Sequence, residues 1–166
     1  MSAREHRPWL VAVGLGSNIR PAQHLPLALQ ALQARARVVA LSSVWQTPPV
    51  GTQGPNFYNA VAVLTVPFPA RHLKNTILQP IEAALGRRRG PDPNAPRPID
   101  LDLLVEGHRV LDADVWRYAH WAVPLAEVMP GLRHPQTGEP LAAIARRLAE
   151  NAAIRQVALP DWHLVA

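Results

Sequence analysis

Eighteen prolines in 166 residues are the strongest single constraint on what this chain can build. Each fixes φ near −65° and lacks a backbone N–H, so it stops or bends a helix and is confined to turns and strand edges. Nearly half of the residues are apolar, yet the prolines break them into short runs too brief for a membrane-spanning helix. The chain must therefore assemble short strands and helices through stiff connections. One domain covering 1–166 is expected, burying ~70% of the unfolded chain's surface.

Hydrophobic patterning supplies the element order. The run "WLVAVGLGSN" (9–18) reads as a buried strand followed by a turn at its glycines. In 21–37, Leu25, Leu29 and Leu32 recur at helical spacing behind Pro21. Residues 38–47 return to β character and stop at Pro48-Pro49, and 57–66 alternate as a strand up to Pro67. A helix over 69–86 places Leu73, Ile77, Ile81 and Leu85 on one stripe, with Gly86 as its stop and a kink expected at Pro80. After a basic loop come the strand "IDLDLLVEG", a hairpin-like return "HRVLDADV", a turn at "HPQTGEP" and a helix over 141–150. The order β-α-β-β-α-β predicts an α+β sandwich of ferredoxin-like topology, an antiparallel sheet with helices packed on it.

Composition excludes several chemistries. There is no cysteine, so disulfides, thiolate nucleophiles and cysteine zinc sites are absent together. Seven histidines lack H-x-x-x-H spacing, and no phosphate-binding G-x-x-x-x-G-K-[ST] occurs. The "GLGSN" stretch has Ile19 where a dinucleotide fingerprint needs its last glycine, and a tight turn is expected there. The N-terminus lacks the apolar core of a secretory signal, so the expected compartment is the cytoplasm, with no membrane partner. Net charge is +5, carried almost wholly by arginine, since Lys74 is the only lysine. Arginine forks suit phosphate, on a nucleic acid or on a small polyphosphate.

The stretch "RPIDLDLLV" (97–105) chooses between those two. Period-2 alternation puts Ile99, Leu101, Leu103 and Val105 on one face and Asp100 and Asp102 on the other, roughly 6.5–7 Å apart. A bare D-x-D is equally a solvated strand face. Beside it, however, Arg87, Arg88, Arg89 and Arg97 crowd a Pro/Gly-rich loop. Carboxylates that hold Mg²⁺ next to guanidinium forks are what polyphosphate transfer requires. The acidic pair argues against nucleic acid. Further upstream, "WQTPPVGTQGPNFYNA" (45–60) is a proline-braced loop ending in Phe57, Tyr58 and Asn59, able to offer an aromatic face and an amide edge to a flat heterocycle.

Taken together, "GLGSN", "WQTPPVG", "FYNAV", "QPIEAALGRRR", "PRPIDLDLL" and "PLAEVMP" resemble the 6-hydroxymethyl-7,8-dihydropterin pyrophosphokinase family of folate biosynthesis, over roughly residues 9–130. The resemblance implies Mg²⁺-dependent transfer of pyrophosphate from ATP to the pterin hydroxymethyl group, with release of AMP. It implies that Asp100 and Asp102 hold two Mg²⁺ and act with Arg87 and Arg97 as the catalytic set. The ATP side would be Gln79, Glu82, Arg87, Arg89, Arg97 and Leu103, and the pterin side Thr47, Pro48, Val50, Phe57, Asn59 and His120. The partners implied are ATP and a pterin, with a monomer expected. Two places depart from the family pattern: Ala95 stands before Pro96-Arg97 where the family usually has glycine, and a later segment is shortened. Before "PL-x-E" the family carries a Pro-His pair, a spacer, an arginine and a phenylalanine, whereas "LDADVWRYAHWAVPL" is several residues shorter and lacks the pair. Counted back from Pro124, Tyr118 stands at the arginine's place and His120 at the phenylalanine's, with Arg117 and Trp121 one position away. The same chemistry on a modified pterin, or a silent ligand-binding paralogue, are the alternatives this departure leaves open.

Overall fold

The computed structural model describes residues 7–165. Seven strands form one antiparallel sheet: β1 (Trp9–Ser17), β2 (Arg37–Leu41), β3 (Val44–Thr47), β4 (Phe57–Val66), β5 (Asp100–Glu106), β6 (Arg109–Val110) and β7 (Arg155–Val157). Their spatial order is β6-β5-β1-β4-β3-β7, with β2 also pairing to β4. Helix α1 (Pro21–Arg35) and helix α2 (70–84) cover one face; α3 (Ala119–Val128) and α4 (Leu141–Glu150) cover part of the other. This is the α+β arrangement the patterning predicts. No described helix is long and apolar enough to cross a membrane.

Alternation along β1 and β4 divides the core in two. Val11, Val13, Leu15, Ala60, Ala62 and Leu64 turn toward α1 and α2, where Leu25, Leu32, Leu73, Ile77 and Ile81 are all but fully buried against them. Ala12, Val61 and Val63 turn the other way and meet Trp121, Ala122, Leu125 and Leu141.

Several expectations are corrected. The strand over 38–47 is two strands, broken at Ser42-Ser43, where the buried Ser42 hydroxyl accepts from the Val61 N–H at 2.8 Å. At Pro80 the helix is irregular: α2 widens through a π-helical turn at Lys74–Leu78 just before it and resumes at Gln79–Ala84. The wider turn absorbs the ring and the missing donor. Val105 leaves the face of Ile99, Leu101 and Leu103, because the β1–β5 register shifts between Ala12 and Val13 and the extra residue flips the strand beyond it. Gly14 and Gly16 lie within β1 rather than in a turn. The return after β5 shrinks to the two residues of β6 and passes into a 3₁₀ turn at Ala113–Trp116. Helix α3 and strand β7 stand outside the β-α-β-β-α-β order altogether.

Candidate active site

The sheet register gathers the site. Asn59 pairs with Gly16 and Gly16 with Asp100, and in the next row Val61 pairs with Gly14 and Gly14 with Asp102. Thr47 pairs with Phe57 beyond them. Paired residues share a face, so Thr47, Phe57, Asn59, Asp100 and Asp102 all project to the side carrying α3. There they line a cavity of about 380 Å³, completed by Pro48, Val50 and Arg97 and by Asp114, Tyr118, His120 and Trp121 from the opposite wall.

One half of the cavity is lined by rings and a fixed amide. Asn59 is 3% exposed and donates from Nδ2 to Thr47 Oγ1 at 2.8 Å, which fixes its amide against the sheet. Trp121 lies on the backbone of β1: a Cβ on Gly14 would stand 2.6 Å from its Cη2 atom, so only glycine allows the indole to sit there. At Gly16 a Cβ would meet Asn59 Oδ1 at 3.1 Å and approach both Phe57 and Trp121 at 3.9 Å, so this bare strand position is the floor between the two aromatics. His120 stacks on Tyr118 with centroids 5.5 Å apart and touches Trp121 at 5.1 Å, making the second wall a cluster of rings. Burial pushes the His120 imidazole down to about 4, against an upward pull from Asp114, so the ring is neutral at pH 7.

The other half is built around charge. Asp100 accepts from Arg87 Nη1 at 2.5 Å on one oxygen and from Arg97 Nη1 at 3.0 Å on the other. Arg87 also pairs with Glu82, a carboxylate only 4% exposed that accepts from the Leu101 N–H at 3.2 Å as well. Burial works to deprotonate Arg87, but Asp100 and then Glu82 outweigh it and hold the guanidinium charged. Arg97 is held at its backbone: its N–H donates to Asn18 Oδ1 at 2.7 Å, and its carbonyl accepts from the Asn18 N–H at 3.2 Å. The buried Asn18 at the end of β1 thus fastens the basic loop beside β5.

Asp102 has no ion pair among the described residues. Burial, then the neighbouring charges of Asp100, Asp112 and Glu82, push it up to about 7, with Arg87 opposing. The charged form of this carboxylate is disfavoured unless a cation stands opposite it in the cavity. No group of three or more His, Asp or Glu side chains forms a cage among the described residues. The donor set therefore fits Mg²⁺, which takes one or two carboxylates and fills its shell with phosphate oxygens and water, rather than a metal held by protein alone.

The sequence-derived candidates divide accordingly. Thr47, Pro48, Val50, Phe57, Asn59, Arg97, Asp100, Asp102 and His120 meet at the cavity. Arg87 and Glu82 stand behind Asp100 and do not line it. Leu103 points to the opposite face of the sheet, packing against the core under α1 and α2. Gln79, on α2, and the exposed Arg89 also lie outside the cavity lining. Sequence reasoning did not anticipate Gly16 or Asp114 as lining residues. The glycine carries a signal in "GLGSN", but its meaning depends on a tryptophan about a hundred positions away.

Comparison with known proteins points to one family. The family model for 7,8-dihydro-6-hydroxymethylpterin-pyrophosphokinase (HPPK) matches residues 12–130. The 2-amino-4-hydroxy-6-hydroxymethyldihydropteridine pyrophosphokinase of Pseudomonas aeruginosa is 35% identical over 138 residues, covering 75% of this chain and 83% of the relative. The protein of that name from Methylorubrum extorquens is 40% identical over 135 residues, covering 72% and 82%. Among solved structures, wild-type Plasmodium falciparum HPPK-DHPS with SDX-DHP aligns at a TM-score of 0.70 with 10% identity, over 90% of this chain. The chain spans only 46% of that larger one, and the likeness is one of fold.

Proposed function

The chain belongs to the 7,8-dihydro-6-hydroxymethylpterin-pyrophosphokinase family, enzymes that use ATP and a pterin substrate in folate biosynthesis, and from that premise we propose that it transfers pyrophosphate from ATP to 6-hydroxymethyl-7,8-dihydropterin in a Mg²⁺-dependent reaction that releases AMP. In this reading the described chain acts as one catalytic unit. The substrate hydroxyl oxygen bonds to the β-phosphorus, the bond from that phosphorus to the oxygen bridging it to the α-phosphate breaks, AMP leaves on that oxygen, and the hydroxyl proton passes to solvent.

The observation that carries the reading is the single sheet face on which Thr47, Phe57 and Asn59 stand beside Asp100 and Asp102 over one cavity. Phe57 offers a ring face and Asn59 an amide edge to the pterin, while Thr47, Pro48 and Val50 border it. His120, neutral at pH 7, presents a second flat surface without the cost of desolvating a charge. Arg97, on the cavity wall, takes phosphate oxygens with the donors Asp100 leaves free. Arg87 acts from behind, holding Asp100 in place. Asp100 and Asp102 are the residues that would hold Mg²⁺. Bound there, the metal would neutralise phosphate oxygens and act as a Lewis acid. The protein's own contribution is positioning and electrostatics rather than a covalent intermediate.

The test is incubation of the folded protein with ATP, Mg²⁺ and 6-hydroxymethyl-7,8-dihydropterin. AMP and the pterin pyrophosphate should appear in equal amounts, and their absence would overturn the proposal. A second reading, the same chemistry on a modified pterin, is favoured by the Tyr118–His120 stack at the wall where the family carries phenylalanine. Faster turnover of a substituted pterin than of the standard one would establish it.

A further inference from the structure

The two walls of the ring site come from segments about seventy residues apart, and one side chain ties them together. Glu127, in the last turn of α3, reaches the edge of the sheet. Its Oε2 accepts from the Ser43 N–H at 3.0 Å and from the Ser43 hydroxyl at 2.9 Å, while Oε1 accepts from the Trp45 indole N–H at 2.6 Å. Three donors of the β2–β3 segment thus converge on one carboxylate of the helix. Two residues beyond Trp45, the same strand delivers Thr47 to the cavity, and seven and six residues before Glu127 the same helix delivers His120 and Trp121.

We propose that Glu127 is a positioning residue for the pterin, its carboxylate setting the width of the ring site by locking β3 to α3. This rests on the functional reading above, since it assigns the gap between Thr47 and His120 to the ring. The physical ground is the number and kind of bonds. Hydrogen bonds to an ionised acceptor are the strong ones, and two oxygens shared among three donors fix both the separation and the tilt of the two elements. The sheet alone does not do this: β3 is only four residues long, and beyond Thr47 the chain runs into the proline loop. Glu127 lies outside the cavity lining, so its influence on the ligand passes through the elements it joins.

The experiment compares wild type with Glu127→Gln, Trp45→Phe and the double variant, each checked for a cooperative thermal transition. Glu127→Gln keeps size but loses the charge and one acceptor, and Trp45→Phe keeps an aromatic ring, smaller than the indole, but removes the N–H donor. The dissociation constant for the pterin should rise roughly three- to tenfold in each single variant. The double variant should be no worse than the weaker single, because both break one link. The KM for ATP should stay within twofold of wild type, a split that a merely structural role would not produce. Hydrogen exchange of segment 44–52 without ligand should quicken in all three variants. Unchanged pterin affinity in the folded single variants, fully additive losses, or equal losses for ATP would overturn the proposal. If wild type itself failed to bind the pterin, the functional reading would fall. The lock would then be judged on exchange alone, with unaltered exchange at 44–52 refuting that too.

Discussion

Asp102→Asn should make the ligand-free protein more stable at pH 8 while removing its activity. The carboxyl sits near 7 in the folded protein against an ordinary value of 3.8. The folded state therefore keeps a proton between those values that the unfolded chain has already lost. Stability falls as pH rises through that window, and the slope is set by the difference in bound protons. At about 1.4 kcal/mol per pH unit, a displacement of this size costs the folded state on the order of 4 kcal/mol at pH 8. An asparagine carries no charge to desolvate, but it adds an amide that needs partners, so about half of that gain, roughly 2 kcal/mol, should survive. For a chain of this length that is a rise in Tm of about 4–8 °C. The assay is urea unfolding of both proteins without Mg²⁺ at pH 4, 6 and 8. His120 contributes the opposite slope below its ordinary value of 6.5, since the unfolded chain protonates there first. Taking the difference between the two proteins removes that contribution. The stabilisation should be small at pH 4 and grow toward pH 8. A variant no more stable than wild type at pH 8, or a difference that does not change with pH, would refute the claim that Asp102 is held in its charged form at a cost.

Three further outcomes are expected. Arg87→Met should lose about 3 kcal/mol in chemical denaturation, because it strands the buried Glu82 without an ion partner and leaves Asp100 with Arg97 alone; a loss below about 1 kcal/mol would show the pairing to be incidental. Gly14→Ala should cost about 1–3 kcal/mol by pushing a methyl into the Trp121 ring, with a shift in tryptophan emission; an unshifted, fully stable protein would mean the indole rests elsewhere. His120→Phe should flatten the loss of stability between pH 6.5 and 4 by roughly 2–3 kcal/mol, since the folded protein no longer has to keep an imidazole neutral there. Equal acid sensitivity in wild type and variant would count against burial of that ring.

Strand β4 and helix α4 are legible in the sequence, the first as a run of β-type apolar residues that stops at Pro67, the second as a stripe of period 3.6 over residues 141–150. Helix α3 is not. "AHWAVPLAEV" buries Ala119, Trp121, Ala122, Pro124 and Leu125, so its apolar residues surround much of the helix instead of tracing a stripe, and Pro124 speaks against a helix locally. Tertiary packing overrides both signals. Strand β7 is three residues long and exists only because β3 offers it an edge. The site shows the same division. Asp100 and Asp102 can be found from alternation and Phe57 and Asn59 from the chemistry of their loop, whereas Thr47 is pointed to only by the family resemblance. The Val105 flip, the seat of Trp121 on glycine and the reach of Glu127 to Ser43 depend on register shifts and inter-element distances that no local pattern encodes.

The row Asn59–Gly16–Asp100 crosses three adjacent strands of one ladder. Its two ends are therefore separated by two inter-strand steps, about 10 Å between Cα atoms, a span that backbone hydrogen bonding dictates and side-chain substitution cannot stretch. The helix wall has no such ruler. On the proposed function, a chain of this design would change its heterocycle by rewriting residues 118–121 while the reach from ring edge to phosphorus stayed as it was.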